Sequence, residues 1–261
     1  MTYGAALVTG GARRLGRAMA LALAARGVDV VVHYASSAEA AAQTVADLKA
    51  LGVNAVALQA DLLVEGDMAG LVPAASAALG KPLDVLINNA SVFEYDRLET
   101  ATQESWDRHY NSNLRAPFVL MQAFADQAPE AATDAAGEAL ATGCVINMVD
   151  QRLRKLTPEF MTYTLAKSGL WTLTQTAARA LAPRIRVNAI GPGPTLIGDR
   201  QSDAHFAHQR RNTILQRGSN PADIVGAMGY FLDAPSVTGQ LICVDGGQHL
   251  GWNTPDIQGV T

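Results

Sequence analysis

Seven short, unbroken apolar runs punctuate the chain, at residues 5–9, 28–34, 55–60, 85–88, 144–149, 185–190 and 240–244. Most are rich in β-branched residues and lack the polar alternation of a half-exposed strand. They therefore predict strands buried on both faces. Between them lie Ala- and Leu-rich segments of helical period, such as 17–26 and 37–51, with Gly27 and Gly52 behind them as C-caps. Strands that alternate with helices predict an α/β fold with a doubly wound (Rossmann) parallel sheet of seven strands and helices on both faces. No linker-like or repeated stretch divides residues 1–261, which read as one domain. The Ala- and acid-rich stretch 128–143 predicts an exposed helix end and loop, without chemistry.

Hydrophobic residues make up 49% of the chain and charged residues 17%, a balance that suits a compact enzyme and not a disordered chain. A net charge of −4 leaves no basic field to hold nucleic acid or an anionic membrane, so a small molecule is the expected partner. Basic residues cluster at Arg13 and Arg14, at Arg152, Arg154 and Lys155, and at Arg210 and Arg211. Only the first cluster sits in a motif; the others read as solvated faces. Cys144 and Cys243 each lie in an apolar run, which predicts reduced thiols in strands and neither a disulfide nor a metal site. His205 and His208 lack a metal-pair spacing and read as surface, so no metal is expected. The first residues lack a basic, signal-like start and no run is long enough to span a bilayer, which predicts a soluble, cytoplasmic protein.

The candidate chemistry begins after the first strand, at TGGARRLGRAMA, residues 9–20. A glycine-rich turn between a strand and a helix offers free backbone N–H groups and a positive dipole end to a pyrophosphate. Gly10, Arg13, Arg14, Leu15 and Gly16 are the residues concerned. The second strand ends in HYASS. An NAD site usually carries an acid there for the ribose 2′-hydroxyl. His33, Tyr34, Ser36 and Ser37 are polar and none is acidic, so with Arg13 nearby they suit a 2′-phosphate and favour NADPH/NADP over NAD. The competing interpretation is a solvent-facing turn. Asp61 and Leu62 close the third strand, where a carboxylate meets an adenine amino group; Asn88, Asn89 and Ala90 close the fourth. Ligands of open sheets bind at this carboxyl edge. The fifth long strand ends on an acid, Asp150, and Tyr163 and Lys167 follow it in YTLAK. Four residues apart on a helix, Tyr163 and Lys167 share one face, and a neighbouring ammonium favours the phenolate.

Taken in order, the TGxxxxxG turn, Asp61, NNA at 88–90, Asn113, YxxxK at 163–167, PGP at 192–194 and VDGG at 244–247 resemble the short-chain dehydrogenase/reductase family over nearly the whole chain. The resemblance implies a Tyr163 general acid/base, a Lys167 that lowers its pKa and holds the nicotinamide ribose, and an Asn113 that holds a water in the proton relay. It adds Ser91, Met148, Pro192, Gly193 and Thr195 to the expected cofactor contacts. A substrate lid is expected around 195–221, and family members are commonly homotetramers. The helix that carries Trp106 and Asn113 often pairs across a dimer interface in this family. The tail from Trp252 onward packs either on its own domain or toward a neighbouring subunit.

Two departures narrow the group. Arg14 stands at the middle glycine of the usual turn, where its guanidinium can reach cofactor phosphate and substrate. Asp150 stands thirteen before the tyrosine, where a carbonyl-polarising serine is usual. RRLG, HYASS and NNASVF, together with that acid, resemble the pteridine reductases and the dihydrofolate/dihydromonapterin reductases. That resemblance makes Ser91 a pterin contact and Phe93 a ring that stacks on the pterin, although as a residue type Phe93 also suits an ordinary loop hydrophobe. The expected activity is NADPH-dependent hydride transfer to a pterin-like C=N bond, with the proton supplied through Tyr163, Lys167 and Asp150. The rivals are a ketone reductase of the same fold, acting on a 3-oxoacyl or other carbonyl, and a non-catalytic NADP-binding sensor.

Overall fold

The computed structural model describes residues 3–198 and 201–252. The seven predicted strands form one parallel sheet, in the order β3 (Ala55–Gln59), β2 (Asp29–Tyr34), β1 (Ala5–Val8), β4 (Val85–Asn88), β7 (Gly143–Met148), β8 (Ile185–Pro192) and β9 (Leu241–Val244). Each strand lies within two residues of its predicted place. β1 and β4 register through Ala6–Val85 to Val8–Ile87, and β4 and β7 through Val85–Cys144 to Asn88–Asn147. This shared register brings the carboxyl ends of the central strands level.

Both faces are covered. Side chains alternate across the strands, so Ala6 and Val8 enter one core with Cys144, Ile146 and Met148, whereas Ala5 and Leu7 enter the other with Val145 and Val187. The first core is sealed by α1 (Arg14–Ala24), α2 (Ala38–Ala50) and α8 (Pro221–Asp233), through Met19, Leu23, Leu48, Met228 and Phe231. The second is sealed by α3 (Glu65–Leu79), α5 (Ala116–Gln127) and α6 (Met161–Ala180), through Met68, Leu71, Leu120, Phe124 and Ala178. Gly27 and Gly52 take the left-handed conformation behind α1 and α2, as expected of C-caps. Among the described residues no helix is long and apolar enough to cross a membrane.

Two features differ from the sequence reading. The stretch 128–143 holds a small antiparallel hairpin, β5 (Ala132–Thr133) with β6 (Ala139–Leu140). The Asp134 carboxylate accepts the N–H groups of Ala136 and Glu138, and Gly137 has φ +82°. This is turn chemistry that a survey of apolar period overlooks. The helix before Asn113 is also interrupted. It runs as α4 (Gln103–Tyr110), then as a π-helical turn over Asn111–Arg115, and then continues as α5.

Two glycines fix the first turn against the sheet. A Cβ on Gly16 would stand 2.2 Å from the carbonyl oxygen of Gly10, and Gly10 itself has φ +61°. Helix α1 therefore sits closer to the end of β1 than any side chain permits. Gly16→Ala is expected to lower unfolding free energy by about 1–3 kcal/mol through overpacking, read by urea denaturation. Gly226→Ala, where the added methyl meets nothing within 4 Å, should be neutral or stabilise by up to about 1 kcal/mol.

Candidate active site

A crevice of about 440 Å³ opens at the carboxyl edge of the sheet, between the turn after β1 and the segment after β8. Gly10, Arg13, Arg14, Leu15, Gly16, Asn89, Ala90, Ser91, Phe93, Met148, Asp150, Tyr163, Lys167, Pro192, Gly193 and Thr195 line it. These residues come from five parts of the chain, and all of them are named from sequence. His33, Tyr34, Ser36, Ser37, Asp61, Leu62 and Asn113, which were singled out with them, do not line it.

One wall is the N-terminus of α1. No side chain caps it and its first turn contains no acid. Its free N–H groups and positive dipole end, beside Arg13 and Arg14, make a fitting cradle for a pyrophosphate. The turn is braced from beneath. Asn89 Nδ2 donates to the Thr9 carbonyl at 2.9 Å, and the N–H of Ala90 donates to the Thr9 hydroxyl at 3.0 Å.

His33 belongs to this bracing and does not reach out to a ligand. The Gly10 N–H donates to Nδ1 at 3.1 Å, so the proton lies on Nε2, which donates to the Ala60 carbonyl at 3.0 Å. Burial pushes its pKa below the ordinary histidine range and keeps this neutral tautomer. Asp61 is exposed, and its carboxylate accepts the Leu63 N–H at 3.0 Å; the Leu62 side chain is buried in the core. Tyr34, Ser36 and Ser37 lead into α2, and Ser37 stands at its N-cap without capping it. This corner therefore offers uncapped N–H groups and hydroxyls, and no acid on the strand end, to a phosphate.

Arg14 differs from its expected part. It has φ +53°, a left-handed conformation that glycine adopts freely, and so it does occupy a glycine position of the turn. Its guanidinium, however, donates to the carbonyls of Ile197 at 2.8 Å and Leu196 at 3.2 Å. It bridges the crevice to the segment after β8. The cluster at Arg210 also differs from a solvated face. Arg210, on α7 (Asp203–Arg211), donates to the carbonyls of Pro194 at 2.9 Å and Gly218 at 3.2 Å. His205 and His208 lie exposed on the same helix. Residues 199–200 of the expected lid, and the tail beyond Trp252, lie outside the described residues.

The reactive end lies where β7 meets α6. The Tyr163 hydroxyl donates to Asp150 Oδ2 at 3.1 Å, while Asp150 Oδ1 accepts the Arg152 N–H at 2.8 Å. The Ser91 hydroxyl also faces Tyr163. Lys167 is buried, and its ammonium donates to the Met148 carbonyl at 2.7 Å. Burial raises the Asp150 pKa against the pull of Arg152 and Lys167. Burial, and then the Asp150 charge, raise Tyr163 well above the ordinary tyrosine range. Lys167 is lowered to about 8 by burial, with Asp150 opposing. The expectation that the ammonium shifts Tyr163 toward the phenolate is overturned: desolvation and a neighbouring carboxylate outweigh it. All three groups are pushed toward their neutral forms.

Asn113 sits in the π-helical turn, fully buried. Its side chain clasps Val92, accepting that residue's N–H at 2.9 Å and donating to its carbonyl at 2.8 Å. Its side chain thus fixes the segment that carries Phe93. Phe93, 51% exposed, stacks on Phe160 at 4.4 Å between centroids and meets Tyr163 edge-on at 4.7 Å. Sequence reasoning missed Phe160. Its φ of +56° is uncommon for a bulky residue, and no residue pattern announces it. It also missed His109, Asp96 and Thr162, which lie behind Tyr163. His109 is four residues before Asn113, and that helical spacing was the available signal.

A family model described as enoyl-(acyl carrier protein) reductase matches residues 10–249. A solved structure of a FolM alternative dihydrofolate reductase 1 from Brucella suis, in complex with NADP, is 43% identical, with a TM-score of 0.90, and the match covers 97% of this chain and 98% of that one. An uncharacterised oxidoreductase of Methylorubrum extorquens is 36% identical, covering 93% of this chain and 96% of that protein. A 3-oxoacyl-[acyl-carrier-protein] reductase FabG of Staphylococcus aureus is 32% identical, covering 94% and 98%. With its doubly wound sheet, its tyrosine–lysine helix and matches that run almost end to end, the chain belongs to the short-chain dehydrogenase/reductase family of oxidoreductases.

Proposed function

We propose that this protein is an NADPH-dependent reductase of a pterin-like C=N bond, of the dihydropteridine or dihydrofolate type. The observation that carries this is the carboxyl of Asp150 at the end of β7, hydrogen-bonded by Tyr163 and flanked by the exposed ring of Phe93. The likeness to a FolM reductase crystallised with NADP supports it. The bracketed Gly10–Gly16 turn would hold the pyrophosphate, with Arg13, Ser36 and Ser37 toward the 2′-phosphate and Lys167 toward the nicotinamide ribose. Bound NADPH supplies a hydride.

The chain's own residues handle the proton and the geometry. A C=N bond that accepts hydride at carbon needs a proton at the adjacent nitrogen. A half-buried carboxyl with a raised pKa is suited to give one. Tyr163 and Asp150 share a hydrogen bond, so a proton given up by either leaves one negative charge shared across that bond, beside Lys167, until solvent returns the proton. Lys167, lowered to about 8 by burial, still carries its charge at neutral pH and stands beside the pair. Phe93 supplies a flat apolar face for a planar ring, and Ser91 a hydroxyl at its edge. Holding the ring against the nicotinamide contributes through orientation. The segment at 195–221 would act as the lid, fastened by Arg14 and Arg210.

A second interpretation is a carbonyl reductase, and the identity to FabG favours it. Asp150 argues for the first, because a carboxyl polarises a ketone less well than it protonates a ring nitrogen. We further propose a cytoplasmic homotetramer. Trp106, Tyr110, Phe118 and Leu165 leave an exposed apolar surface on α4, α5 and α6, and Tyr230 another on α8.

Purified protein with NADPH should reduce dihydrobiopterin or dihydrofolate; turnover of ketones with none of pterins would overturn the assignment. The rate should fall as pH rises through the raised Asp150 pKa, because the protonated carboxyl is the proton source. A further fall is expected above about 8, where Lys167 loses its charge. Asp150→Asn should abolish the first limb, move the second to lower pH because Lys167 loses the carboxylate that raises it, and cost about 10²–10⁴ in turnover with NADPH affinity retained. Light scattering should give four chains per particle, and Trp106→Glu combined with Leu165→Glu should yield smaller species.

A further inference from the structure

Behind Tyr163 runs a closed polar chain that the proposed chemistry does not use. His109, on α4, is fully buried. The Glu94 N–H donates to its Nε2 at 3.0 Å. A backbone N–H can only donate, so the ring proton sits on Nδ1, which donates to Thr162 Oγ1 at 2.7 Å. That hydroxyl donates in turn to the Asp96 carboxylate. Asp96, 2% exposed, also accepts the Thr162 N–H and the Ser105 hydroxyl, each at 3.2 Å. Every donor has an acceptor, and the directions run consistently from Glu94 to Asp96. Burial lowers the His109 pKa and so preserves the neutral ring this order requires.

The ends of the chain fall at telling places. Glu94 follows Phe93 directly. The carbonyl of Asp96 accepts the Phe160 N–H at 2.8 Å, just before the helix that carries Tyr163. Phe160 is held there with φ +56°, a conformation a bulky residue keeps only when its surroundings enforce it. Its ring lies against Phe93 with 6° between the planes. His109 itself meets the Tyr163 ring edge-on at 5.9 Å. One buried imidazole thus touches the segments that bear Phe93 and Tyr163, which line the crevice, and Phe160, which stacks on Phe93.

We propose that His109, acting through Thr162 and Asp96, is a positioning residue that fixes the Phe93–Phe160 ring pair beside Tyr163 and thereby sets affinity for a planar-ring substrate. The proposal rests on the assignment of Phe93 as the face a substrate ring meets. Phe93 is half exposed, and Asn113 anchors it on one side only, through Val92. The His109 chain supplies the anchor on the other side. Without it, the Glu94 N–H loses its buried acceptor and the Thr162 hydroxyl its His109 donor, and the backbone beside the two rings loosens, although Arg108 still holds the Glu94 carboxylate at 2.9 Å.

The test uses the full-length protein with His109→Leu, which keeps bulk but no hydrogen bond, and His109→Gln, which keeps a donor and an acceptor. For His109→Leu, the Kd and KM for dihydrobiopterin should rise about tenfold, the loss expected for one or two uncharged hydrogen bonds. Its kcat and NADPH affinity should stay close to wild type. The Phe160 amide, which His109 does not touch, should exchange its hydrogen faster. His109→Gln should recover most of both effects. Unchanged KM with wild-type Phe160 exchange would overturn the proposal, as would an equal loss of ring affinity, NADPH affinity and kcat. If His109→Leu does not fold, Asp96→Asn is read by the same criteria. If the wild-type protein neither binds nor reduces a pterin, the functional assignment fails, and Phe160 exchange alone decides the positioning role.

Discussion

An ammonium taken out of water must find acceptors or surrender its proton. Lys167 is 2% exposed, and the acceptor it finds is the carbonyl of Met148, at the carboxyl end of the central strand β7. That bond ties α6 to the sheet edge at one point. Tyr163, one turn earlier on α6, is thereby brought over Asp150, two residues beyond Met148. The whole reactive end depends on this tether. The same burial pushes Asp150 and Tyr163 up and Lys167 down, so the three groups favour neutrality together. In this arrangement the charge left when a proton is given up is shared between the hydrogen-bonded Asp150 and Tyr163, beside Lys167.

The two ends of the crevice are built by different means. At the cofactor end the walls are backbone: the left-handed Gly10, the close approach of Gly16, and the bracing by Asn89, Thr9 and His33. This rigid frame is continuous with the parallel sheet. At the other end the walls are side chains: Phe93, with Phe160 stacked on it, and the Arg14 guanidinium reaching across to Leu196 and Ile197. Side-chain walls respecialise by substitution without disturbing the frame, which is how one fold serves many substrates.

Arg14 and Phe160 illustrate how strain marks this region. Both are non-glycine residues in the left-handed conformation; Arg14 lines the crevice, and Phe160 stacks on Phe93, which does. Each is held by specific contacts, Arg14 by two carbonyls across the cleft and Phe160 by the Asp96 carbonyl and a neighbouring ring. Substitutions away from the reacting groups, at Asp96 or His109, therefore bear on the geometry of the site.

The sequence by itself determined the seven strands and their covering helices, because an apolar run buried on both faces leaves a pattern that needs no partner to be recognised. It also determined Tyr163, Lys167 and Asp150, since a helical spacing and a strand end are local properties, and sixteen of the expected contacts meet in one crevice. The hairpin at Ala132–Leu140 was lost to composition, although Asp134 and Gly137 carried its turn chemistry. Only the tertiary structure decided what the polar residues do with their hydrogen bonds. His33 turned inward to Gly10 and Ala60, Asn113 clasped Val92, and Arg14 crossed to the opposite wall. It also decided the direction of the Tyr163 shift, which depends on burial and on a carboxylate thirteen residues away. Partners and desolvation are properties of the packed whole, and nothing in the residue order states them.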